Sequence, residues 1–198
     1  MQQAINTLRA KGVEISNEED EAVCFAILLH DIGHGPFSHA LENSIVQGVH
    51  HEEISELIMN RLNEEFDGLL DLAIKIFQNK YHKKFLHQLV SSQLDMDRLD
   101  YLARDSFYSG VTEGKVGSER IIKMLDVDGD HLVIEEKGIY SIEKFVVARR
   151  LMYWQVYLHR TVLSAEHMLM LALKRAKDLS SKGEVLFASP ALSTFLQN

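Results

Sequence analysis

The sequence predicts a mainly α-helical protein with one small β-hairpin near residues 124–136. Apolar residues recur at three- and four-residue spacing along most of the 198 residues, which is the period of an amphipathic helix. Only two prolines, Pro36 and Pro190, interrupt that pattern. The exception is the hairpin, where Asp128-Gly129 between β-branched runs is typical of a tight turn.

Local signals place the helices in order along the chain. A first helix is expected from Met1 onward. Ser16 and Glu19 have the spacing of a capping box, which satisfies free amides at a helix start, and that helix should reach about Asp31. A new helix can begin at Pro36. Further helices fit residues 51–63, 69–78, 84–92 and 98–107.

A longer helical pattern runs from residue 141 to about 179 without glycine or proline. It exceeds the length of most globular helices, so it predicts either one long helix or two with a break near Arg160. Its large apolar residues are expected in the core rather than around a cofactor. They are Phe145, Leu151, Met152, Trp154, Leu158, Leu169 and Leu173.

Composition fits one globular domain, since 46% of the residues are hydrophobic and 25% are charged. We expect residues 1–198 to form a single domain that is truncated at both ends. The chain begins inside a helical pattern without a cap and stops in an apolar stretch. No apolar run reaches the roughly 18 residues of a membrane span, and no signal-peptide pattern is present. A cytoplasmic protein is therefore expected.

Cysteine usage and charge exclude other classes. Cys24 is the only cysteine, so neither an internal disulfide framework nor a cysteine zinc cluster can form. Twenty-nine acidic and 21 basic residues give a formal charge of −8. With no cluster of basic residues, this charge argues against nucleic-acid binding.

Histidines are concentrated in one segment. The chain has ten, and His30, His34, His39 and His51 lie close together in sequence. His30 and Asp31 place two types of metal ligand side by side where an apolar helix should end. The pair alone is also typical of an ordinary helix end, where the helix dipole favours histidine. The clustering favours a metal site.

A second cluster spans residues 95–105 and contains four aspartates and two arginines. On a helix that begins near Asp97, the side chains of Asp97, Tyr101 and Asp105 share one face, and the arginines flank it. Such a face could hold a metal, a sugar and a phosphate. A solvated surface of ion pairs has the same composition, so both interpretations remain open at this point.

Four blocks of the sequence together carry a family resemblance. They are Leu29-His30-Asp31-Ile-Gly-His34-Gly-Pro-Phe-Ser-His39, His51-Glu52, Asp97-Arg98-Leu-Asp100-Tyr101-Leu-Ala-Arg104-Asp105, and Tyr153-Trp-Gln-Val-Tyr157-Leu-His159-Arg160-Thr161. They resemble the HD superfamily, and within it the deoxynucleoside triphosphate triphosphohydrolases related to the mammalian SAM-and-HD-domain enzyme. The resemblance covers roughly residues 22–168.

The resemblance implies an HD-domain helical core in which His30, Asp31 and Asp97 bind one divalent metal. In this family an earlier histidine, in an Arg-Phe-x-His segment, completes the ligand set. No such segment occurs in the 198 residues, which leaves the set incomplete by one. Two nitrogens and two carboxylates suit iron, manganese, zinc, nickel or cobalt. Magnesium could accompany the substrate phosphates.

The resemblance also implies roles for other residues. His39 and His51 correspond to catalytic histidines, and Glu42 and Glu52 to the acidic residues that orient them. The family often has aspartate at the position of Glu42. The residues that correspond to phosphate, sugar and base contacts are Arg98, Tyr101, Asp105, Arg149 and Tyr157.

These roles predict a metal-dependent phosphohydrolase that converts a deoxynucleoside triphosphate, such as dGTP, into deoxynucleoside and triphosphate. Two alternatives remain open. One is hydrolysis of another phosphate ester, such as a cyclic nucleotide or a nucleotide monophosphate, and the other is a regulatory HD domain that binds nucleotide without turnover. The expected partners are the nucleotide and further copies of the chain, with no membrane or nucleic acid.

Overall fold

The computed structural model describes residues 1–35, 37–42, 44 and 48–197, with the side chain of Ser38 also outside the description. Within these ranges the chain is mainly α-helical with one two-stranded sheet, as the sequence predicts. The elements are α1 Gln2–Ala10, α2 Asn17–Leu29, α3 Ser38–Glu42, α4 His51–Glu65, α5 Asp71–Phe77, α6 Lys84–Val90, α7 Met96–Ser109, α8 Ser118–Met124, β1 Leu125–Asp128, β2 His131–Ile134, α9 Ile139–Met152, α10 Arg160–Ser181 and α11 Pro190–Gln197.

The core lies between the N-terminal helices and the hairpin. Helix α2 packs against α5 and α6, and α1 packs against α8 and β1. Helix α7, which carries the acidic cluster, packs against α6 and α9. The largest fully buried side chains are Ile5, Leu8, Met59, Ile76, Leu86, Leu89, Leu102, Ile121, Leu125, Met152, Val23 and Val90. Their burial drives these helices together and fixes the relative positions of α2 and α7.

The start of α2 is the predicted capping box. The Glu19 amide donates to Ser16 Oγ at 3.1 Å, and the Ser16 amide donates to the Glu19 carboxylate at 2.8 Å. The Glu19 side chain is only 6% exposed. It also accepts hydrogen bonds from the Tyr81 hydroxyl at 2.7 Å and the Lys83 ammonium at 2.8 Å. This network joins the start of α2 to the segment that leads into α6.

The end of α2 is held against α4 by a close backbone contact. The Ser55 hydroxyl, fully buried, donates to the His30 carbonyl at 2.7 Å and accepts from the Gly33 amide at 2.9 Å. A Cβ atom on Gly33 would lie 2.2 Å from the His51 carbonyl oxygen and 2.5 Å from the Ser55 nitrogen. Only glycine fits there, so this contact fixes the chain after α2 on the first turn of α4.

The hairpin lies where the sequence predicts it. Strands β1 and β2 are antiparallel, and Asp128 pairs with His131 across the turn. Gly129 has a φ of +58°, a value that glycine adopts without strain. Strand β1 begins at Leu125, somewhat before the β-branched run that predicted it.

The long helical pattern forms two helices, which confirms the second of the two predicted alternatives. Helix α9 continues into a π-helical turn, Tyr153–Tyr157, and the chain then breaks before α10. His159 is extended, and its Nδ1 accepts from the Thr161 amide at 3.3 Å, which caps α10. Among the described helices, none is long and apolar enough to cross a membrane.

Parts of the sequence prediction differ from the structure. The helix expected to begin at Pro36 falls on a residue outside the described ranges, and α3 is described from Ser38. Helices α8 and α11 were not predicted. All residues of α8 are described, and Ile121 is the one that is buried. The apolar period of this helix is therefore weak.

The first prediction concerns the buried carboxylate of Glu19. Burial alone would raise its pKa, but hydrogen bonds from Lys83, Ser16 and Tyr81 outweigh burial and hold the pKa below the ordinary 4.5. Because the pKa of Glu19 is lower in the folded state than in the unfolded state, its ionised carboxylate stabilises the fold above about pH 4.5. This stabilisation is lost as pH falls through the folded-state pKa. Glu19→Gln should therefore lower the free energy of unfolding at pH 7 by about 3 kcal/mol.

Urea denaturation at several pH values measures this effect. The difference between wild type and Glu19→Gln should shrink as pH falls below 4.5. Glu18→Gln is the matched control, because Glu18 is exposed on the same helix turn. If the difference in free energy of unfolding between wild type and Glu19→Gln stays constant from pH 7 to pH 3, Glu19 is not stabilised as an ionised carboxylate.

The second prediction concerns Gly33. Gly33→Ala should destabilise the protein by about 3 kcal/mol, because the added methyl group meets backbone atoms that cannot rotate away. Gly35→Ala is the control, since a Cβ atom there meets no described atom within 4 Å. Equal unfolding midpoints for the two variants would show that the α2–α4 contact is looser than described.

Candidate metal centre and active site

The end of α2 presents the His30 ring to two carboxylates. His30 Nδ1 lies 2.7 Å from the Ile27 carbonyl oxygen, which can only accept, so Nδ1 carries a proton. His30 Nε2 then faces Asp31 Oδ2 at 3.3 Å and Asp97 Oδ1 at 3.7 Å. One ligand atom from each of His30, Asp31 and Asp97 lies within 4.8 Å of the other two.

This group fits a divalent cation. Burial lowers the pKa of His30, but Asp97, the Ile27 carbonyl and Asp31 outweigh it and raise that pKa to about 9. The same contact with His30 holds the pKa of Asp97 below its ordinary value. The carboxylates therefore stabilise positive charge at the position of His30 Nε2. An imidazole fixed by a carbonyl on its far nitrogen is the usual arrangement of a metal-binding histidine.

A second group of side chains adjoins the first. The His34 and His51 rings stack with centroids 3.9 Å apart, and the His39 ring meets both edge-on at 5.2 and 5.5 Å. His34 Nε2 lies 3.6 Å from Asp31 Oδ1, which connects this group to the first. Burial, followed by the charge of His51, lowers the pKa of His34. The sequence prediction named His34 within the motif but gave it no role.

Glu42 lies between two of these histidines. Its carboxylate is 3.1 Å from His51 Nδ1 and 3.8 Å from His39 Nδ1. The Glu42 side chain is 14% exposed, whereas the His39 side chain is 67% exposed. Glu52 is more exposed and lies 3.4 Å from His51 Nε2. The structure thus brings all four predicted catalytic residues together around His51, which also lies within reach of Asp31.

Helix α7 continues the site away from Asp97. The Tyr157 hydroxyl donates to Asp105 Oδ2 at 2.6 Å, and the Tyr101 and Tyr157 rings meet edge-on at 6.1 Å. Burial and then Asp105 raise the pKa of Tyr157, so its hydroxyl keeps the proton that it donates. The π-helical turn brings Tyr157 to this position. Asp97, Tyr101 and Asp105 follow one another along the helix face at the spacing that the sequence predicts.

Arg98 is held by the residue that caps its helix. Asp95, 3% exposed, accepts from the Arg98 amide at 2.7 Å and from Arg98 Nε at 3.1 Å. Arg98 Nε also donates to the Ser92 carbonyl at 2.7 Å, and the guanidinium makes a further hydrogen bond with the Tyr101 hydroxyl. Sequence reasoning noted Asp95 only as one of the clustered aspartates, although its position before α7 is typical of a helix cap.

Arg149 lines a cavity of about 440 Å³ beside the π-helical turn. Its Nη1 donates weakly to Gln93 at 3.5 Å, and its guanidinium lies 5.6 Å from the Tyr153 ring centre. Arg149 Nε is buried and has no hydrogen-bond partner among the described residues.

Trp154 and Leu158, predicted as core, are half exposed and line this cavity instead. The π-helical turn shifts them out of the helical period.

Comparisons with known proteins agree with this architecture. A model of the HD domain matches residues 4–105, and a model of the HD-associated region matches residues 116–186. In the crystal structure of a phosphohydrolase from Bacteroides thetaiotaomicron, the matched chain is 67% identical with a TM-score of 0.97. That match covers 100% of this chain and 49% of the solved one.

Curated relatives include the uncharacterized protein YwfO of Bacillus subtilis, which is 38% identical over 89% of this chain and 42% of the relative. A deoxynucleoside triphosphate triphosphohydrolase SAMHD1 homolog of Dictyostelium discoideum is 30% identical over 83% of this chain and 35% of the relative. The chain spans less than half the length of these two relatives. The match of the HD-domain model to residues 4–105, just over half of the 198 residues, shows that the chain belongs to the HD-domain family.

Proposed function

We propose that the protein is a metal-dependent phosphohydrolase that cleaves a deoxynucleoside triphosphate, such as dGTP, into deoxynucleoside and triphosphate. The observation that carries this proposal lies on one face of α7. Asp97 meets His30 and Asp31 at one end, and Asp105 binds Tyr157 at the other. The helical rise of about 1.5 Å per residue separates the Cα atoms of Asp97 and Asp105 by about 12 Å. This face has room for a nucleotide.

The first part of the proposal is the metal. His30, Asp31 and Asp97 would bind one divalent ion, and a nitrogen with two carboxylates suits iron, manganese, zinc, nickel or cobalt. Such an ion would act as a Lewis acid on the phosphoryl group. Magnesium would accompany the phosphates, for which it is the usual counter-ion.

The remaining roles fall to side chains that surround this group. The terminal nitrogens of Arg98 would bind a phosphate, and Arg149 would bind another through its cavity. Asp105 has a carboxylate oxygen besides the one that Tyr157 occupies, and it would accept a sugar hydroxyl there. Tyr101 would pack against the sugar or base.

Proton transfer falls to the histidines. Hydrolysis of a phosphate ester requires a proton for the leaving oxygen, and a histidine suits this role because its ordinary pKa is near neutrality. His39 and His51 both face Glu42, which would fix their rings, and His51 also lies within reach of Asp31. His39 is the more exposed of the two, so it can reach a bound substrate. Glu52 would orient His51 from its other nitrogen.

Two other functions compete with this one. Hydrolysis of a cyclic nucleotide or a nucleotide monophosphate would use the same metal group, but it gives the two arginines fewer phosphates to bind. A regulatory HD domain would bind nucleotide without turnover. The relative in Dictyostelium, named as a deoxynucleoside triphosphate triphosphohydrolase, supports the first proposal.

Self-association and location also belong to the proposal. We expect copies of the chain to associate through α10, where Met168 and Leu171 are about two-thirds exposed. Light scattering after size-exclusion chromatography would measure the number of subunits. A cytoplasmic location stays a prediction.

A substrate panel tests the proposed reaction. The purified protein with Mn²⁺ is incubated with dGTP, GTP, dGMP and cyclic GMP, and the products are separated by anion-exchange chromatography. We expect deoxyguanosine and triphosphate from dGTP. Turnover of dGMP or cyclic GMP alone would support the first alternative. Saturable binding of dGTP without product would support the regulatory one.

The metal group predicts a specific loss on substitution. Asp97→Ala should reduce bound metal by at least tenfold, since it removes a ligand that faces His30 Nε2. Asp100→Ala is the matched control, because Asp100 lies on the same helix and pairs with Arg104 on the exposed side. Elemental analysis after dialysis measures both variants. Equal metal content in the two variants would remove Asp97 from the site.

The proton-donor role predicts a different pattern. His39→Ala should keep its metal content while kcat for dGTP falls by about 10²- to 10⁴-fold, the range for loss of a general acid. His167→Ala, at an exposed histidine on α10, should leave kcat unchanged. If His39→Ala hydrolyses dGTP at the wild-type rate, proton donation falls to another group.

A further inference from the structure

The chain between α10 and α11 has the side-chain pattern of a β-strand. Residues 184–189 form neither helix, turn nor bend. Their side chains alternate, since Val185 is 98% exposed and Phe187 is fully exposed, while Leu186 and Ala188 are partly buried. Alternation with a period of two is typical of a strand that has one covered face.

The inner face of this segment is covered by the chain itself. Leu186 and Ala188 line a cavity of about 380 Å³ together with the buried Leu196 of α11. The outer face, formed by Val185 and Phe187, is apolar as well. A strand that is apolar on both faces is typical of a sheet covered on both sides. The outer face is therefore open to a partner.

The backbone of the segment indicates what kind of partner fits. Among the residues that the structure describes, none forms a hydrogen bond with the amides or carbonyls of residues 185–188. Bonds resume on either side, where the Glu184 amide donates to the Leu179 carbonyl and the Ser189 carbonyl accepts from the Ser193 amide. A row of unpaired backbone donors and acceptors beside apolar side chains is complementary to another strand.

We propose that residues 184–188 pair with the same residues of a second copy of the chain, as an antiparallel two-stranded sheet centred on Leu186. In this register Val185 lies opposite Phe187 of the partner subunit, and Phe187 lies opposite the partner's Val185. A β-branched side chain opposite an aromatic one is a favourable cross-strand pair. All four exposed apolar side chains then lie on one face, and the two-fold axis makes the contact identical in both copies.

Charge supports pairing of the segment with itself in this direction. Glu184 is the one charged residue among residues 184–188. Antiparallel pairing places it opposite an alanine, whereas parallel pairing in register would place two carboxylates opposite each other, which is destabilising. The segment is thus complementary to itself. The inference goes beyond the proposed hydrolysis, and it gives the proposed self-association a contact separate from α10.

Self-association and hydrogen exchange, both followed over a range of protein concentrations, test the contact. The wild type should form dimers by light scattering, and amide exchange in residues 185–188 should slow at least about tenfold as dimers form. Phe187→Ser should raise the dissociation constant at least about tenfold without unfolding the monomer, because the side chain is fully exposed there. Tyr140→Ser is the matched control, since Tyr140 is 80% exposed on α9, and it should leave both measurements unchanged.

Cysteine cross-linking tests the register. In a Cys24→Ser background, Leu186→Cys should form a covalent dimer on mild oxidation, because the two-fold axis places the two sulfurs opposite each other. Ala188→Cys should not, since its two copies lie about 13 Å apart along the strands. Covalent dimers of Ala188→Cys in place of Leu186→Cys would overturn the proposed pairing.

Three other results would also overturn it. They are a monomeric wild type, a dimer whose residues 185–188 exchange as fast as in the monomer, and an unchanged dissociation constant in Phe187→Ser. If association instead persists in Phe187→Ser and is lost in Leu171→Ser, the contact lies on α10 alone. Neither measurement uses dGTP, so failure of the proposed hydrolysis leaves this test intact.

Discussion

The contact of Gly33 and Ser55 is the constraint on which the site depends. It joins the chain after α2 to the first turn of α4 through two hydrogen bonds to the buried Ser55 hydroxyl. One of these bonds is to the His30 carbonyl, and the backbone that Gly33 meets belongs to His51. The candidate metal ligands at the end of α2 and His51 at the start of α4 are therefore positioned by one packed junction. Rigid support of this kind is what a binding site requires of its scaffold.

The electrostatics of this junction favour a cation. Asp31 and Asp97 converge on one imidazole nitrogen and raise the pKa of His30 to about 9. The approach of two carboxylates costs less when a positive charge lies between them, whether a proton or a metal ion. Helix α7 then extends the site, since its cap residue Asp95 holds Arg98 and its second half presents Asp105 to Tyr157.

Local signals predicted most of the fold. The capping box of Ser16 and Glu19 and the turn at Gly129 each depend on a few adjacent residues, so the sequence is sufficient to find them. The π-helical turn was not predicted, because it depends on packing between α9 and its neighbours. It moves Trp154 and Leu158 from the expected core to a cavity wall.

The candidate site, like the fold, was predicted in part from the sequence. The structure brings His30, Asp31 and Asp97 together and gathers His39, His51, Glu42 and Glu52 beside them, while their roles stay predictions. Ser55 and His34 were not assigned roles, since their contacts join elements that are distant in sequence or depend on the turn after α2. A serine within a helix gives no sign of such a contact until the fold is known.

We propose that this site cleaves the bond between the α-phosphorus and the 5′ oxygen of a deoxynucleotide. Hydrolysis of dGTP in H₂¹⁸O, with mass analysis of both products, measures it directly. We expect one ¹⁸O atom in triphosphate and none in deoxyguanosine, because water attacks phosphorus and the 5′ oxygen leaves with the nucleoside. Label in deoxyguanosine, or release of phosphate or pyrophosphate in place of triphosphate, would contradict it.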